Sequence, residues 1–177
     1  MSASIPELPG GFNPEYLTKL LHHHGCLPAE SAVIALDRST IGDGTGMMAE
    51  IAMLHLKYEG DQGEAPSSLI AKFASQNPTN REIAIAYNLY ERETRFLAEL
   101  EPLTPVRTPL TYVSTREDDR FLILMEDLTA YDVGSQVVGA TLRQSELAID
   151  ELVKLHAPFW DKVSDINWVP HIFQSYH

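Results

Sequence analysis

The hydrophobic and polar positions in the first part of the chain predict one short helix followed by strands. Asn13 and Pro14 precede apolar residues at helical spacing, and Gly25 supplies a stop, so a helix is predicted between them. Short apolar runs without helical periodicity follow at residues 32–36, 48–58 and 67–73. Three consecutive strands joined by turns predict an antiparallel meander and exclude a βαβ unit.

Apolar positions then predict one long helix that begins near Thr79 and ends before Pro102. Thr79 and Glu82 fit a capping box, in which each side chain accepts a hydrogen bond from a free backbone N–H group at the start of a helix. The predicted apolar stripe comprises Ile83, Ala86, Tyr87, Leu89, Tyr90, Phe96, Leu97 and Leu100.

Two further strands and a second amphipathic helix complete the predicted elements. The strands cover residues 110–114 and 121–125, with a charged turn between them, and a capped helix follows at about 141–156. Together these elements predict an α+β fold, with an antiparallel sheet of about five strands and one long helix.

Composition and charge reduce the classes of function that the chain can have. The 177 residues suffice for one domain with a hydrophobic core, and the net charge of -12 argues against a nucleic-acid partner. The single cysteine, Cys26, excludes an internal disulfide, and we find neither an apolar run of membrane-spanning length nor a signal peptide. We therefore expect a cytoplasmic protein with no membrane partner.

A glycine-rich segment, IGDGTGMM at 41–48, is a candidate phosphate loop. A Walker loop is excluded because Met47 stands where lysine is required, and the dinucleotide fingerprint is excluded because an extended segment follows in place of a helix. What remains is a glycine turn between antiparallel strands, as kinases use over the phosphates of ATP. Its candidate residues are Gly42, Asp43, Gly44, Thr45 and Gly46. A plain hairpin turn is the alternative, and taken alone it is the commoner case.

Lys72 lies inside the predicted strand SSLIAKFA, among Leu69, Ile70 and Phe73. A buried ammonium group is costly unless a carboxylate pairs with it, so the position predicts an acidic partner. The alternative is a lysine on an edge strand that points into water.

Glu93 is the candidate partner, because it shares the apolar face of the predicted long helix. Glu91 lines up instead with Thr94 and Arg95, and we expect Glu91 to face solvent. A lysine on a strand paired with a glutamate on a helix is the arrangement that holds the α/β-phosphate contact in kinases. Taken alone, Glu93 fits equally well as a charge at the edge of the stripe.

The run FLILMEDL at 121–128 predicts a buried strand that ends in acidic residues. In a kinase-like lobe this place belongs to the hinge that pairs with adenine, so Glu126, Asp127 and Leu128 are candidate nucleotide contacts. An apolar strand that ends in a charged turn without any ligand would show the same pattern.

The succession IGDGTG, SLIAKF, NREIA, YERETRFLAEL, RTP, FLILMEDL and LVKLHAPFW resembles the superfamily of aminoglycoside phosphotransferases and ecdysteroid kinase-like proteins, which are small-molecule kinases related to choline kinase. The resemblance implies a kinase-like ATP-binding lobe at 1–126, followed at 127–177 by a hinge and the first helices of a second, incomplete lobe. It also implies that Lys72 and Glu93 form the ion pair of the family, that Gly42 to Gly46 form its phosphate loop, and that ATP and Mg²⁺ are its cofactors.

The sequence departs from that family at the catalytic residues. It contains no H-x-D loop of the kind that supplies the catalytic base, and no matching magnesium aspartate follows. We therefore expect part of a longer phosphotransferase that moves the γ-phosphate of ATP to a substrate hydroxyl, with no catalytic residue and no metal ligand in this chain and with an unknown small-molecule acceptor. The alternatives are a non-catalytic, pseudokinase-like module that binds a nucleotide or a protein partner, and an α+β domain whose resemblance is architectural only.

Apolar residues are dense towards the end of the chain, between Val153 and Phe173. In a complete protein the missing lobe would cover them. Without that cover we expect self-association through this segment.

Overall fold

A computed structural model describes residues 4–6, 8–41, 48–132, 134–135 and 137–169. The chain divides into two compact units. The first contains Met1–Thr94 and Pro109–Asp127, and the second contains Arg95–Thr108 and Leu128–His177. The predicted division into kinase lobes at 1–126 and 127–177 stays a prediction.

Five antiparallel strands form one sheet in the first unit, in the spatial order β1-β2-β3-β5-β4. The strands are β1 (Ala32–Thr40), β2 (Ala49–Glu59), β3 (Ser68–Ala74), β4 (Thr111–Glu117) and β5 (Arg120–Glu126). The predicted α+β fold with a five-stranded antiparallel sheet is confirmed. Strand β1 is longer than predicted because the backbone of its polar second half still pairs with residues 52–55 of β2, which a hydrophobic pattern does not reveal.

Helix α1 (Pro14–His23) covers one face of this sheet, where most of the core lies. Its start is as predicted, because the side chain of Asn13 accepts a hydrogen bond from the N–H of Tyr16 at 2.9 Å. The helix buries Leu17, Leu20 and Leu21 completely or almost completely against the sheet. The strand residues of this core include Leu69, Ala71, Phe73, Leu122 and Leu124.

The single long helix predicted after β3 is wrong, because two short helices occupy its place, α2 (Pro78–Ala86) and α3 (Leu89–Arg95). Between them Asn88 adopts a left-handed backbone with φ of +53°. Asparagine tolerates this conformation better than most residues, so it ends one helix and lets the next begin in a new direction.

The predicted capping box of Thr79 and Glu82 is also wrong. The N-cap of α2 is Asn77, whose side chain accepts a hydrogen bond from the N–H of Asn80 at 3.3 Å, and Pro78 takes the first helical position. Asparagine caps a helix well and proline is suited to the position after the cap, so this pair determines the start two residues earlier.

The second unit begins where α3 ends. A five-residue π-helix (Phe96–Leu100) and a short 3-10 helix (Glu101–Leu103) follow α3, and Pro102, which has no N–H group, prevents a longer α-helix. Helix α4 (Leu142–His156) starts with a capping box formed by Thr141 and Gln144, which confirms the predicted start.

The described part of the chain contains no helix that is both long enough and apolar enough to cross a membrane.

Candidate functional site

Lys72 lies on the face of the sheet opposite to α1. Side chains alternate between the two faces of a strand, and its neighbours Ala71 and Phe73 belong to the core beneath α1. The Lys72 side chain is 25% exposed, so it is neither an edge-strand lysine in open water nor fully buried. Strand β3 is also an inner strand of the sheet.

A row of apolar side chains surrounds Lys72 on this face. Ile51 of β2 and Ile123 of β5 lie directly opposite Lys72, and Met53 and Met125 lie opposite Ile70 in the same way. Directly opposed residues of antiparallel strands point to the same face. We call Ile51, Met53, Ile70, Ile123 and Met125 the apolar row; Ile123 is buried and the other four are half-buried.

Glu93 of α3 reaches Lys72 over this face. The Lys72 Nζ atom donates a hydrogen bond to Glu93 Oε1 at 2.5 Å, and the Glu93 side chain is 34% exposed. The predicted partner of Lys72 is therefore the one that the structure brings to it. A charge-assisted bond of this length holds the ammonium group at a fixed place above the strand.

The predicted contrast between a solvent-facing Glu91 and an inward-facing Glu93 is wrong. The Glu91 side chain is 33% exposed, as little as Glu93, and Glu91 Oε2 lies 3.8 Å from the guanidinium group of Arg116. Thr94 is buried at 8% exposure. The buried residues of α3 are Tyr90 and Thr94, one turn apart, so Glu91 and Glu93 lie on the two sides of the buried line.

The candidate hinge residues lie at the end of β5. Glu126 is paired with Leu69, three residues along β3 from Lys72, which corresponds to about 10 Å of strand. Leu110 donates its backbone N–H to Glu126 Oε2 at 3.0 Å, and Ser68 Oγ donates a hydrogen bond to Asp127. These bonds fix the end of the strand, while a contact of the two residues with adenine stays a prediction.

Leu128, the third candidate hinge residue, belongs to the second unit. Its carbonyl oxygen accepts a hydrogen bond from the N–H of Tyr131 at 2.9 Å, in a turn. Its predicted role as a nucleotide contact stays a prediction.

The candidate phosphate-loop residues Gly42, Asp43, Gly44, Thr45 and Gly46 lie outside the described residues. Of the flanking residues, Ile41 donates its N–H to the carbonyl oxygen of Ile51 at 3.3 Å, and Ile51 is the residue opposite Lys72. Ile41, the last described residue before this segment, therefore bonds to the strand that lies next to Lys72.

The sequence did not reveal the apolar row or the role of one further residue, Tyr90. The alternation of side chains along β2, β3 and β5 carried the signal for the row, but only the strand register shows that its members surround Lys72. Tyr90 was predicted as one residue of an apolar stripe, and its hydroxyl group makes two hydrogen bonds beneath α3. Burial raises the pKa of Tyr90, so this hydroxyl keeps the proton that it donates to Met48 up to a more alkaline pH than a free tyrosine does.

The described residues contain no group of three or more His, Cys, Asp or Glu side chains arranged to hold a metal ion. They therefore do not fit a magnesium site of their own, and we assign no metal ligand among them.

Comparison with models of protein families gives a match. The model of the ecdysteroid kinase-like family matches residues 43–158, more than half of the chain and a range that includes Lys72, Glu93 and the end of β5. No curated protein and no solved structure matches the chain.

Proposed function

The chain belongs to the ecdysteroid kinase-like family, and from this premise we propose that it is the ATP-binding portion of a small-molecule phosphotransferase. Membership makes it a relative of small-molecule kinases. The binding of ATP, the transfer of its γ-phosphate and the cytoplasmic location go beyond membership and are proposed here.

One observation carries the proposal: the ion pair between Lys72 and Glu93 on a half-open, apolar face of the sheet. A lysine that only improves solubility is expected on an exposed surface and not between Ile51 and Ile123 on an inner strand. An ammonium group held by a carboxylate keeps two N–H donors for a second anion, and the phosphates of a nucleotide supply that anion.

The apolar row favours a nucleotide over a simple inorganic anion as the ligand of this face. It extends from Lys72 along β3 to Ile70, Met53 and Met125, towards the strand end where Glu126 and Asp127 lie. A planar base with phosphates needs an apolar surface beside a cation, and ligand sites combine the two in this way. In this proposal the base lies near Ile70 and Met125, and the phosphates lie near Lys72.

In the proposed reaction an acceptor hydroxyl attacks the γ-phosphorus of ATP. A bond forms between the acceptor oxygen and phosphorus, and the bond from phosphorus to the bridging oxygen of ADP breaks. Lys72 would neutralise charge on the phosphates, and Glu93 would hold Lys72 in position. The hydroxyl proton would pass to a general base outside these residues, because the given sequence contains no H-x-D loop to supply one.

Calorimetric titration of the full chain with Mg-ATP tests the proposal. Wild type is expected to bind, and Lys72→Ala is expected to lose binding by at least tenfold, because the phosphate contact is removed. Lys57→Ala is the matched control, since Lys57 lies on neighbouring β2 with an exposed side chain and its removal changes the net charge equally. Absence of binding to wild type, or equal losses in both variants, would contradict the proposal.

A non-catalytic, pseudokinase-like module is the alternative function. It predicts the same binding of Mg-ATP but no transfer of radiolabelled γ-phosphate to any alcohol. Transfer by the product of the whole reading frame would exclude it.

A further inference from the structure

The hydroxyl group of Tyr90 occupies a specific place between two strands. It donates a hydrogen bond to the carbonyl oxygen of Met48 at 2.8 Å and accepts one from the backbone N–H of Ser75 at 3.2 Å. Tyr90 is 5% exposed and Ser75 is 3% exposed. The hydroxyl therefore satisfies two backbone groups in a region with little access to water.

The position of this bridge follows from the strand register. The last pair of the β2–β3 ladder at this end is Ala49 with Ala74, so the next pair would be Met48 with Ser75. Instead of a direct hydrogen bond between these two residues, the phenol oxygen lies between them and bonds to both. Tyr90 thereby extends the ladder by one step with a side chain.

The aromatic ring of Tyr90 has a separate role. It stacks on Phe121 of β5, with ring centroids 4.3 Å apart and an interplanar angle of 22°. Phenylalanine at position 90 would keep this packing and lose only the hydroxyl group. The contribution of the bridge can therefore be measured apart from that of the core.

The two ends of the bridge matter for the candidate site. Met48 directly follows the glycine-rich residues 42–47 in the sequence and leads into β2, which carries Ile51 opposite Lys72. Tyr90 itself lies on α3, three residues and nearly one helical turn before Glu93. One side chain thus ties the start of β2 and the end of β3 to the helix that carries the partner of Lys72.

We propose that Tyr90 is a positioning residue for nucleotide binding: its hydroxyl holds the start of β2, the end of β3 and helix α3 in one register, so that Met48 and the Lys72–Glu93 pair keep a fixed spacing. This inference rests on the proposed function, since it concerns the same site. Tyr90 makes no contact with the nucleotide in this proposal and acts through the residues that it fixes.

The test compares Tyr90→Phe with Tyr58→Phe. Tyr58 is a matched control because it is half-buried and its hydroxyl donates to the carbonyl oxygen of Pro66 at 2.6 Å, where β2 ends. Both variants lose a hydroxyl bond to backbone and keep the ring. For Tyr90→Phe we expect the Kd for Mg-ATP to rise about tenfold, at a temperature where all proteins are folded, and for Tyr58→Phe we expect the wild-type Kd.

Hydrogen exchange without nucleotide gives the second readout. The amide of Ser75 is expected to exchange faster in Tyr90→Phe than in wild type, because it loses its acceptor, and to be unchanged in Tyr58→Phe. A general loss of stability would instead raise exchange across the whole sheet.

The outcomes separate this inference from the proposed function. If wild type binds Mg-ATP and Tyr90→Phe binds it equally well, or Tyr58→Phe is equally weakened, the positioning role is wrong and the nucleotide site stands. If wild type does not bind Mg-ATP, both are wrong, and any change in the exchange of Ser75 then reports a structural role only.

Discussion

Lys72 Nζ lies 2.5 Å from Glu93 Oε1, although the two residues are 21 positions apart in the chain. Strand β3 contributes the lysine and helix α3 the glutamate, and each side chain is only about a quarter to a third exposed. A pair that is partly shielded from water is stronger than an open surface pair, but it costs more when one partner is removed. Removal of either partner should therefore have an effect large enough to measure.

A double-mutant cycle on this pair is expected to show coupling. Lys72→Ala and Glu93→Gln should each weaken Mg-ATP binding, and the double variant should be no weaker than Lys72→Ala alone, with a coupling free energy of about 1 kcal/mol. Calorimetric titration measures the four affinities. The control is Glu91→Gln, since Glu91 is equally exposed on the same helix and lies near Arg116 instead. Additive losses would show that Lys72 and Glu93 act separately.

Asn77 and Thr79 distinguish the observed helix start from the predicted one. Asn77→Ala removes the side chain that caps α2 and is expected to lower the free energy of unfolding by about 1 kcal/mol. Thr79→Ala, two residues later inside the first turn, should change it by less than about 0.5 kcal/mol. Urea denaturation followed by circular dichroism measures both. If Thr79→Ala destabilised the protein more than Asn77→Ala, the predicted capping box of Thr79 would be correct.

Tyr16 is expected to reduce stability at neutral pH through its hydroxyl group. That oxygen is buried and has no hydrogen-bond partner among the described residues. An unsatisfied buried hydroxyl is unfavourable, so Tyr16→Phe should be neutral or stabilising by up to about 1 kcal/mol at pH 7. Tyr58→Phe, which loses its bond to Pro66, should be destabilising in the same urea experiment.

The same tyrosines predict a loss of stability in alkali. Burial, helped by the charge of Glu117, raises the pKa of Tyr16 to about 12, and burial raises the pKa of Tyr58 to about 12. Between pH 10 and pH 12 the unfolded chain loses these protons while the folded chain keeps them. The ionisation of these groups therefore leaves the free energy of unfolding unchanged below pH 10 and lowers it as the pH rises through about 12.

Absorbance at about 295 nm, where tyrosinate absorbs, tests this together with urea denaturation at each pH. Tyr16→Phe should flatten the decline in the free energy of unfolding over that range. An unchanged slope, or titration of every tyrosine near its ordinary pKa in the folded protein, would contradict it.

Self-association through the segment that begins at Val153 stays a prediction. Within the described part of the chain, Val153 and Trp160 of this segment are 60% and 73% exposed. Val153→Glu together with Trp160→Glu should shift the protein towards monomer in sedimentation velocity. Leu103→Glu, an equally exposed leucine outside this segment, should not. A monomeric wild type would contradict the prediction.

The sequence by itself determined the features that depend on neighbours along the chain. The cap at Asn13, the presence of five strands and the start of α4 at Thr141 follow from local spacing and capping chemistry, and the structure agrees with them. The partnership of Lys72 and Glu93 was also predictable, because a cation in an apolar strand needs a carboxylate and a glutamate on an apolar stripe needs a cation.

Only the tertiary structure decided which residues surround that pair and which face of α3 is buried. The break between α2 and α3 depends on the left-handed backbone of Asn88 alone. The spacing of apolar residues continues past Asn88 and does not indicate that one helix ends there. The apolar row and the bridge of Tyr90 join residues of different strands and a helix, so they depend on register. Register is a property of packing between distant segments, because each strand can pair in several ways until a core selects one of them.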